Sequence, residues 1–150
     1  MKNLMGISKF ERLFRVIGGL DIDKSDIVRL NDFVNKITVR LLETGIRNTS
    51  LNGRDVIWMS DIPVTRGLEE STGLFKEVDK EIELTPILEE NMKIPPLKYD
   101  VGDDVMSQLP SLQGGIIVSL IKSMKIIDEH KKNPQTEDWI KATEIFDTLL

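Results

Sequence analysis

Two long series of apolar residues constrain this chain more than any other feature of its sequence. The first series spans residues 27–41 and the second spans residues 105–127. In both series the apolar side chains recur every three or four residues, the spacing that places them on one face of an α-helix. The members are Ile27, Leu30, Val34, Ile37 and Leu41 in the first series, and Val105, Leu109, Leu112, Ile116, Leu120, Met124 and Ile127 in the second. The sequence therefore predicts two long helices, each with an apolar face to bury.

A short helix is predicted on each side of the first long one. Residues 8–17 form an amphipathic stripe that stops at two glycines, which favour a helix end. Asp23 is predicted to be the N-cap of the long helix, which we expect to reach about Arg47. Ser60 is expected to cap the third helix, with Pro63 in its first turn.

The second half of the chain repeats this plan with little residue identity. After a connector at about residues 73–83, Thr85 is expected to cap a short helix that begins with Pro86. The second long helix follows, and Thr136 is expected to cap a final helix. The apolar residues expected to be buried by that helix are Trp139, Ile140, Ile145, Phe146 and Leu149.

Composition limits the classes of function. The chain has 150 residues, no cysteine and a net charge of −5, and none of its apolar runs approaches the ~20 residues of a membrane span. Residues 1–75 carry eleven Lys and Arg against ten Asp and Glu, whereas residues 76–150 carry nine against fifteen. A basic surface over the whole molecule is therefore excluded, although a local patch is not. We expect a cytoplasmic protein, because the N-terminus becomes charged before an apolar signal core forms.

Catalytic chemistry finds little support in the sequence. His130, the single histidine, is expected at the end of a long helix, where a structural role is favoured over catalysis. Asp100, Asp103 and Asp104 are the one candidate carboxylate site for a metal, and stabilisation of a helix N-terminus explains them more simply. No phosphate-binding loop, nucleophile motif or dinucleotide motif is present. We therefore expect no enzyme, no metal and no cofactor.

A motif around Arg54 resembles a known family. In Gly53-Arg54-Asp55-Val56-Ile57, followed by Asp61, an arginine precedes an aspartate by seven residues. This segment is similar to the second loop of archaeal histones, in which the two residues form an ion pair. Nearly the whole chain further resembles single-chain histone-fold doublets of bacteria and archaea, whose role is uncharacterised. The segments that carry this resemblance are residues 10–14, 52–55 and 132–137.

The resemblance implies an all-α histone fold in which residues 1–75 and 76–150 are two halves that share one core. Because each half would cover the long helix of the other, we expect a monomeric pseudodimer. Gly114 and Gly115 are interpreted as allowing close approach where the long helices cross, near Ile37, and a flexible kink is the alternative. Aligning Glu144 with Asp61 places Glu137 opposite Arg54, so the arginine clamp is not duplicated.

Aromatic residues and the arginine of the motif each have two interpretations. Trp58 and Trp139 lie at comparable places in the two halves, and we expect both in the core rather than as platforms for stacking bases. Arg54 is expected to act as a structural clamp on Asp61, although the same loop lies against the DNA backbone in histones.

Two functions remain open at this point. One is weak association with duplex DNA that is independent of sequence, through phosphate contacts at the first helix and at two loop pairs. The resemblance implies these pairs, in which the first loop of one half lies beside the second loop of the other, so that Arg54 is expected near Lys93 and Lys98. Its candidate residues are Lys9, Arg12, Arg15, Arg54, Lys93, Lys98, Lys131 and Lys132. Acidic residues are expected beside them, with Asp21 and Asp23 near the last two lysines and Glu89 and Glu90 near the first helix. The other function is protein interaction or assembly without DNA, which accounts for the acidic second half.

Overall fold

A computed structural model of the chain, which describes residues 4–150, is mostly helical. The elements are α1 (Leu4–Gly18), α2 (Lys24–Leu51), β1 (Val56–Ile57), a 3₁₀ turn (Met59–Asp61), α3 (Arg66–Ile82), α4 (Thr85–Asn91), β2 (Asp100–Val101), α5 (Asp103–Ile127) and α6 (Thr136–Leu149). The all-α class is confirmed. No helix within residues 4–150 is long and apolar enough to cross a membrane.

The two long helices begin in different ways. The Asp23 side chain accepts a hydrogen bond from the Asp26 N–H at 3.1 Å, and the Asp26 carboxylate accepts one from the Asp23 N–H at 3.0 Å. This reciprocal capping box fixes the start of α2, as the sequence predicts. Helix α5 begins after Gly102 and has two aspartates in its first turn, where the helix dipole favours negative charge.

Helices α2 and α5 pack against each other near their midpoints. The Gln113 side-chain amide donates a hydrogen bond to Thr38 Oγ1 at 3.1 Å, and both side chains are buried. Ile37, next to this pair on α2, is fully buried. The helices therefore meet near Ile37 and the Gly114-Gly115 pair, which directly follows Gln113. The hydrogen bond satisfies two polar groups that would otherwise be costly to bury.

The Gly114-Gly115 pair contacts α3 and not α2, the neighbour that was expected. A Cβ at Gly114 would overlap the Phe75 ring, and a Cβ at Gly115 would lie 2.9 Å from Thr72 Cα. Both Phe75 and Thr72 belong to α3, so the two glycines admit α3, and not α2, against α5. Missing side chains at a crossing let two helix backbones approach closely, which explains the glycines despite their low helix propensity.

Helix α3 begins later and runs further than the sequence predicts. Ser60 lies in the 3₁₀ turn and not at a helix N-cap, while Thr65 caps α3 by accepting a hydrogen bond from the Leu68 N–H at 3.2 Å. Pro63 therefore lies before the helix. The expected connector at residues 73–83 is helical as far as Ile82, so the division at residue 75 falls inside α3. The chain turns instead at Glu83, in the left-handed conformation.

Helix α6 packs against α2 through aromatic side chains. Phe146 meets Phe33 edge to face at 4.9 Å between ring centroids, and Trp139 Nε1 donates a hydrogen bond to Asp26 Oδ1 at 2.9 Å. Trp139 and Phe146 are buried as expected, but Ile140, Ile145 and Leu149 are exposed. The expectation for those three residues was wrong because α6 lies at the surface and buries only one narrow face. Its N-cap is Gln135 rather than Thr136.

Loops from the two halves pair at both ends of the molecule. At one end β1 and β2 are parallel, with Val56 opposite Asp100, and the Gly102 N–H donates to the Ile57 carbonyl at 2.9 Å. At the other end the Asp21 N–H donates to the Lys132 carbonyl at 2.7 Å. The first loop of each half thus lies beside the second loop of the other half, so each end of the molecule combines residues from both halves.

Candidate interaction surface

Arg54 and Asp61 form a bidentate ion pair across the loop that joins α2 to α3. Arg54 Nη1 lies 2.8 Å from Asp61 Oδ2, and Nη2 lies 2.7 Å from Oδ1. The Asp61 side chain is 3% exposed and that of Arg54 is 20% exposed. Two parallel charge-assisted hydrogen bonds in a largely buried place fix the guanidinium geometrically. Arg54 therefore points its charge into the loop and not toward solvent.

Asp61 organises the loop through further hydrogen bonds. Its Oδ2 accepts one from the Trp58 N–H at 2.8 Å and one from Thr49 Oγ1 at 3.0 Å. Hydrogen bonding to Arg54 is the largest influence on its pKa and outweighs burial, so the pKa of the carboxyl group is held well below its ordinary value. Asp61 is consequently ionised throughout the neutral range, and the end of α2, the loop and the 3₁₀ turn are fastened to one carboxylate.

Trp58 lies at the surface and not in the core. Its side chain is 49% exposed, whereas Trp139 is only 4% exposed. The Arg54 guanidinium carbon lies 3.7 Å from the centroid of the Trp58 ring, so the cation covers one face of the indole. The core expectation was wrong for Trp58 because its backbone N–H binds Asp61, which turns the side chain outward over Arg54. The stacking of Arg54 on the indole accounts for an aromatic residue at this position.

The second half contains a related clamp that the sequence alignment missed. Lys131 Nζ lies 3.3 Å from Asp138 Oδ2, and the same oxygen accepts a hydrogen bond from the Gln135 N–H at 2.7 Å. The separations of seven and three residues match those of Arg54 and Trp58 from Asp61. The matching position for Arg54 is therefore Lys131 and not Glu137. The seven-residue spacing from Lys131 to Asp138 is itself present in the sequence.

Cations of the first helix are engaged by acceptors other than Glu89 and Glu90. Lys9 Nζ donates to the Glu83 carbonyl at 3.0 Å, and Arg12 lies 3.5 Å from the Glu81 carboxylate. Arg15 lies 3.3 Å from Asp21. These contacts arise because α1 packs beside the end of α3 and its own following loop. Exposed pairs of this kind are weak, but they place a carboxylate or carbonyl oxygen where a phosphate would have to bind.

The remaining candidate lysines do not form one track. The Lys93 N–H donates to Asn35 Oδ1, so Lys93 lies beside the middle of α2. That position is sixteen residues, or roughly 24 Å along the helix, from the α2 end that leads into Arg54. Lys98 is exposed at the Arg54 end, over the Tyr99 ring, and Lys132 is exposed at the opposite loop pair. Lys93 thus does not join Arg54 as expected.

Carboxylates cluster at the end where β1 and β2 pair. Asp100 is the strand partner of Val56, and Asp104 Oδ2 accepts a hydrogen bond from the Met59 N–H at 3.1 Å. Asp55 and Asp103 are exposed nearby in the chain. Within residues 4–150 no group of three or more His, Cys, Asp and Glu is arranged to hold a metal ion. This end therefore presents negative charge around Trp58 rather than a coordination site.

Comparison with known proteins places the chain in a family. Two proteins of Aquifex aeolicus (strain VF5), each described as uncharacterized, are similar to it. One is 27% identical over 75% of this chain and 66% of that relative, the other 29% identical over 85% and 82%. A crystal structure of a Thermus thermophilus protein superposes with a TM-score of 0.85 at 40% identity, covering 96% of this chain and 97% of that one.

A second crystal structure, of an Aquifex aeolicus protein, superposes with a TM-score of 0.86 at 25% identity and covers 100% of this chain and 99% of that one. The fold is thus shared over essentially the full length. Residues 10–147 match the family described as a domain of unknown function, DUF1931. The chain belongs to the DUF1931 family.

Proposed function

We propose that this chain is a histone-fold pseudodimer that works as a protein-interaction module. Support for the fold comes from its two successive sets of short, long and short helices, and from loops paired at both ends of the molecule. Further support comes from the two clamps, Arg54 with Asp61 and Lys131 with Asp138, at the same seven-residue spacing. The pairing of α2 with α5 inside one chain makes a second subunit unnecessary for burying their apolar faces.

The observation that favours a protein partner is the engagement of the candidate DNA-binding cations. Arg54 and Lys131 are held by buried aspartates, and Arg12 and Arg15 lie beside exposed carboxylates. Affinity for duplex DNA rises with the number of phosphates that cations neutralise. A net charge of −5 adds repulsion to this shortage of available cations. Interaction with a protein requires neither available cations nor a positive net charge.

Weak, sequence-independent DNA association is the second candidate, and exposed lysines favour it. Lys132 is exposed at one loop pair, and Lys98 is exposed at the other. They lie at opposite ends of the molecule, as phosphate contacts along a duplex require. Two contacts predict a slope of about −2 in log affinity against log salt, far less than a strongly basic histone gives. Such binding would be lost near physiological salt.

Crosslinking in cells that produce the protein separates these two functions. The protein is crosslinked, purified under denaturing conditions, and its adducts are measured with and without nuclease treatment. We expect discrete protein adducts that resist nuclease. Adducts that disappear after nuclease treatment would contradict the proposal and favour the DNA function. A Lys132→Glu variant serves as a control, because it should alter nucleic-acid adducts alone.

A further inference from the structure

We propose that the end of the molecule around Trp58 binds a segment of another protein in which an arginine or lysine lies next to an apolar side chain. The surface is defined by Trp58, Val56, Met106 and Leu51, with exposed carboxylates around them, and we name it the Trp58 surface. This inference rests on the proposed protein-interaction function and adds the location and the chemistry of the partner.

Apolar side chains are unusually exposed on the Trp58 surface. Trp58, Val56, Leu51 and Met106 are all exposed large hydrophobic residues. Their segments meet at this end of the molecule: Leu51 ends α2, Val56 lies in β1, which pairs with β2, and Met106 lies in the first turn of α5, directly after β2. Tryptophan and methionine are enriched at protein interfaces, and a central aromatic residue commonly supplies much of the binding energy. The composition fits an interface centre.

Negative charge surrounds this apolar centre. The carboxylates are those of Asp55, Asp100, Asp103 and Asp104, all on exposed residues. In the part of the chain that the structure describes, none of the four forms an ion pair. Arg54, which stacks on Trp58, has its charge offset by Asp61, and the four carboxylates outnumber Lys98, which is also exposed at this end. Charge complementarity therefore selects a basic partner and disfavours phosphate.

The indole is held in a fixed orientation and is half-exposed. Arg54 stacks on one face at 3.7 Å and is itself fastened by two hydrogen bonds to Asp61. Little side-chain entropy remains to be lost when a partner binds, which lowers the cost of association. Trp58 remains 49% exposed, so a partner's guanidinium or ammonium group can stack on its negative π-surface, and Asp104 accepts a hydrogen bond from the adjacent residue, Met59.

A groove next to Trp58 offers a place for the neighbouring apolar side chain of the partner. It has a volume of about 480 Å³ and runs between the 3₁₀ turn, α3 and α5. Met59, Ile62, Val64 and Leu112 contribute its apolar lining. Because Met59 directly follows Trp58, one short segment could place a cation on the indole and its apolar neighbour in the groove.

The test is a titration of the full-length protein with three synthetic peptides, followed by tryptophan fluorescence. One peptide alternates arginine with leucine, a second alternates glutamate with leucine, and a third alternates arginine with glycine. We expect saturable binding of the Arg-Leu peptide with a blue shift of the emission, because a partner would cover the exposed indole. The Glu-Leu peptide should not bind, and the Arg-Gly peptide should bind at least about tenfold more weakly.

Variants assign the binding to the Trp58 surface. Trp58→Ser should weaken binding of the Arg-Leu peptide at least about tenfold, measured with a labelled peptide. The double variant Asp55→Asn/Asp103→Asn should weaken it about threefold to tenfold. Glu89→Gln/Glu90→Gln removes the same charge from α4 and should leave affinity unchanged. Circular dichroism confirms that each variant keeps its helical content.

The inference is overturned if the Arg-Leu peptide fails to bind, if the Glu-Leu peptide binds as well, or if Trp58→Ser binds normally. The cellular crosslinking experiment distinguishes this failure from failure of the protein-interaction function. Nuclease-resistant protein adducts that persist in the Trp58→Ser variant would leave the function standing and place its interface elsewhere. If the adducts are lost in Trp58→Ser but kept in Glu89→Gln/Glu90→Gln, the result supports both the protein-interaction function and its location at the Trp58 surface.

Discussion

Lys131 contacts Asp138 at 3.3 Å across seven residues of chain, the same separation that joins Arg54 to Asp61 in the first half. In both places the aspartate also accepts the backbone N–H three residues before it. The two ends of the molecule therefore share a loop design but differ in cation. Arginine binds both carboxylate oxygens and stacks on Trp58, whereas lysine contacts one oxygen as a point charge.

The first prediction concerns the stability supplied by the Arg54 clamp. Asp61→Asn keeps the side-chain shape but removes the counter-charge of a guanidinium that is 20% exposed, so it should lower the free energy of unfolding by about 1 to 3 kcal/mol. Urea denaturation followed by circular dichroism measures this loss. Glu70→Gln, which breaks the exposed Arg66–Glu70 pair, is the matched control and should change stability by less than about 0.5 kcal/mol. Equal effects of the two variants would remove the structural role of the clamp.

The lowered pKa of Asp61 predicts how the stability of the protein changes with pH. Because the pKa of Asp61 is lowered in the folded chain, the folded state holds its proton less tightly than the unfolded state does. The stabilisation is complete above the pKa of about 4 of an unfolded aspartate and is lost progressively as the pH falls below it. Urea unfolding at pH 7, 5, 4 and 3 should show a smaller acid loss for Asp61→Asn than for wild type. Parallel curves would contradict this assignment.

The contact between α3 and α5 predicts opposite effects for two glycine substitutions. Gly114→Ala places a methyl group against the Phe75 ring and should destabilise the protein by about 2 kcal/mol, despite the better helix propensity of alanine. Gly73→Ala, on the exposed side of α3, meets no atom within 4 Å and should stabilise it by about 0.5 to 1 kcal/mol. Thermal unfolding of both variants measures the difference. If Gly114→Ala is neutral, α3 does not depend on the glycine for its approach.

Side-chain periodicity predicted the long helices well because each has a broad buried face. In α2 the stripe from Leu30 to Leu41 is buried, and the Asp23 cap lies where expected. Short surface elements were less predictable. Ile140 and Trp58 both looked like core residues, but whether an apolar residue is covered depends on which element packs over it, and that is a tertiary property.

Part of the candidate site was visible in the sequence and part was not. The seven-residue spacing from Arg54 to Asp61 was available in the sequence, and the structure has the two residues in direct contact. The Lys131 clamp was missed because alignment on Glu144 shifted the second half by six residues. The partners of Arg12 and Lys9 depend on where α3 ends, and the sequence placed that end too early.

Burial of both long helices within one chain predicts a monomer. Sedimentation velocity over a wide concentration range should give a single species near 17.1 kDa, with no loss of helicity on dilution. The physical reason is that α2 and α5 contact each other and α3 packs on α5, so the apolar faces of both long helices are covered within one chain. A dimer that unfolds when diluted would contradict the prediction.

The choice between protein and DNA as partner is tested most directly by a salt titration on a labelled duplex. Wild type and Lys132→Glu are compared, with Lys131 left intact because it holds Asp138. The account predicts at most weak binding at low salt, a slope in log affinity against log salt no steeper than about −2, and no measurable binding at about 0.15 M salt. Tight binding at that salt with a slope near −4 or steeper would contradict it.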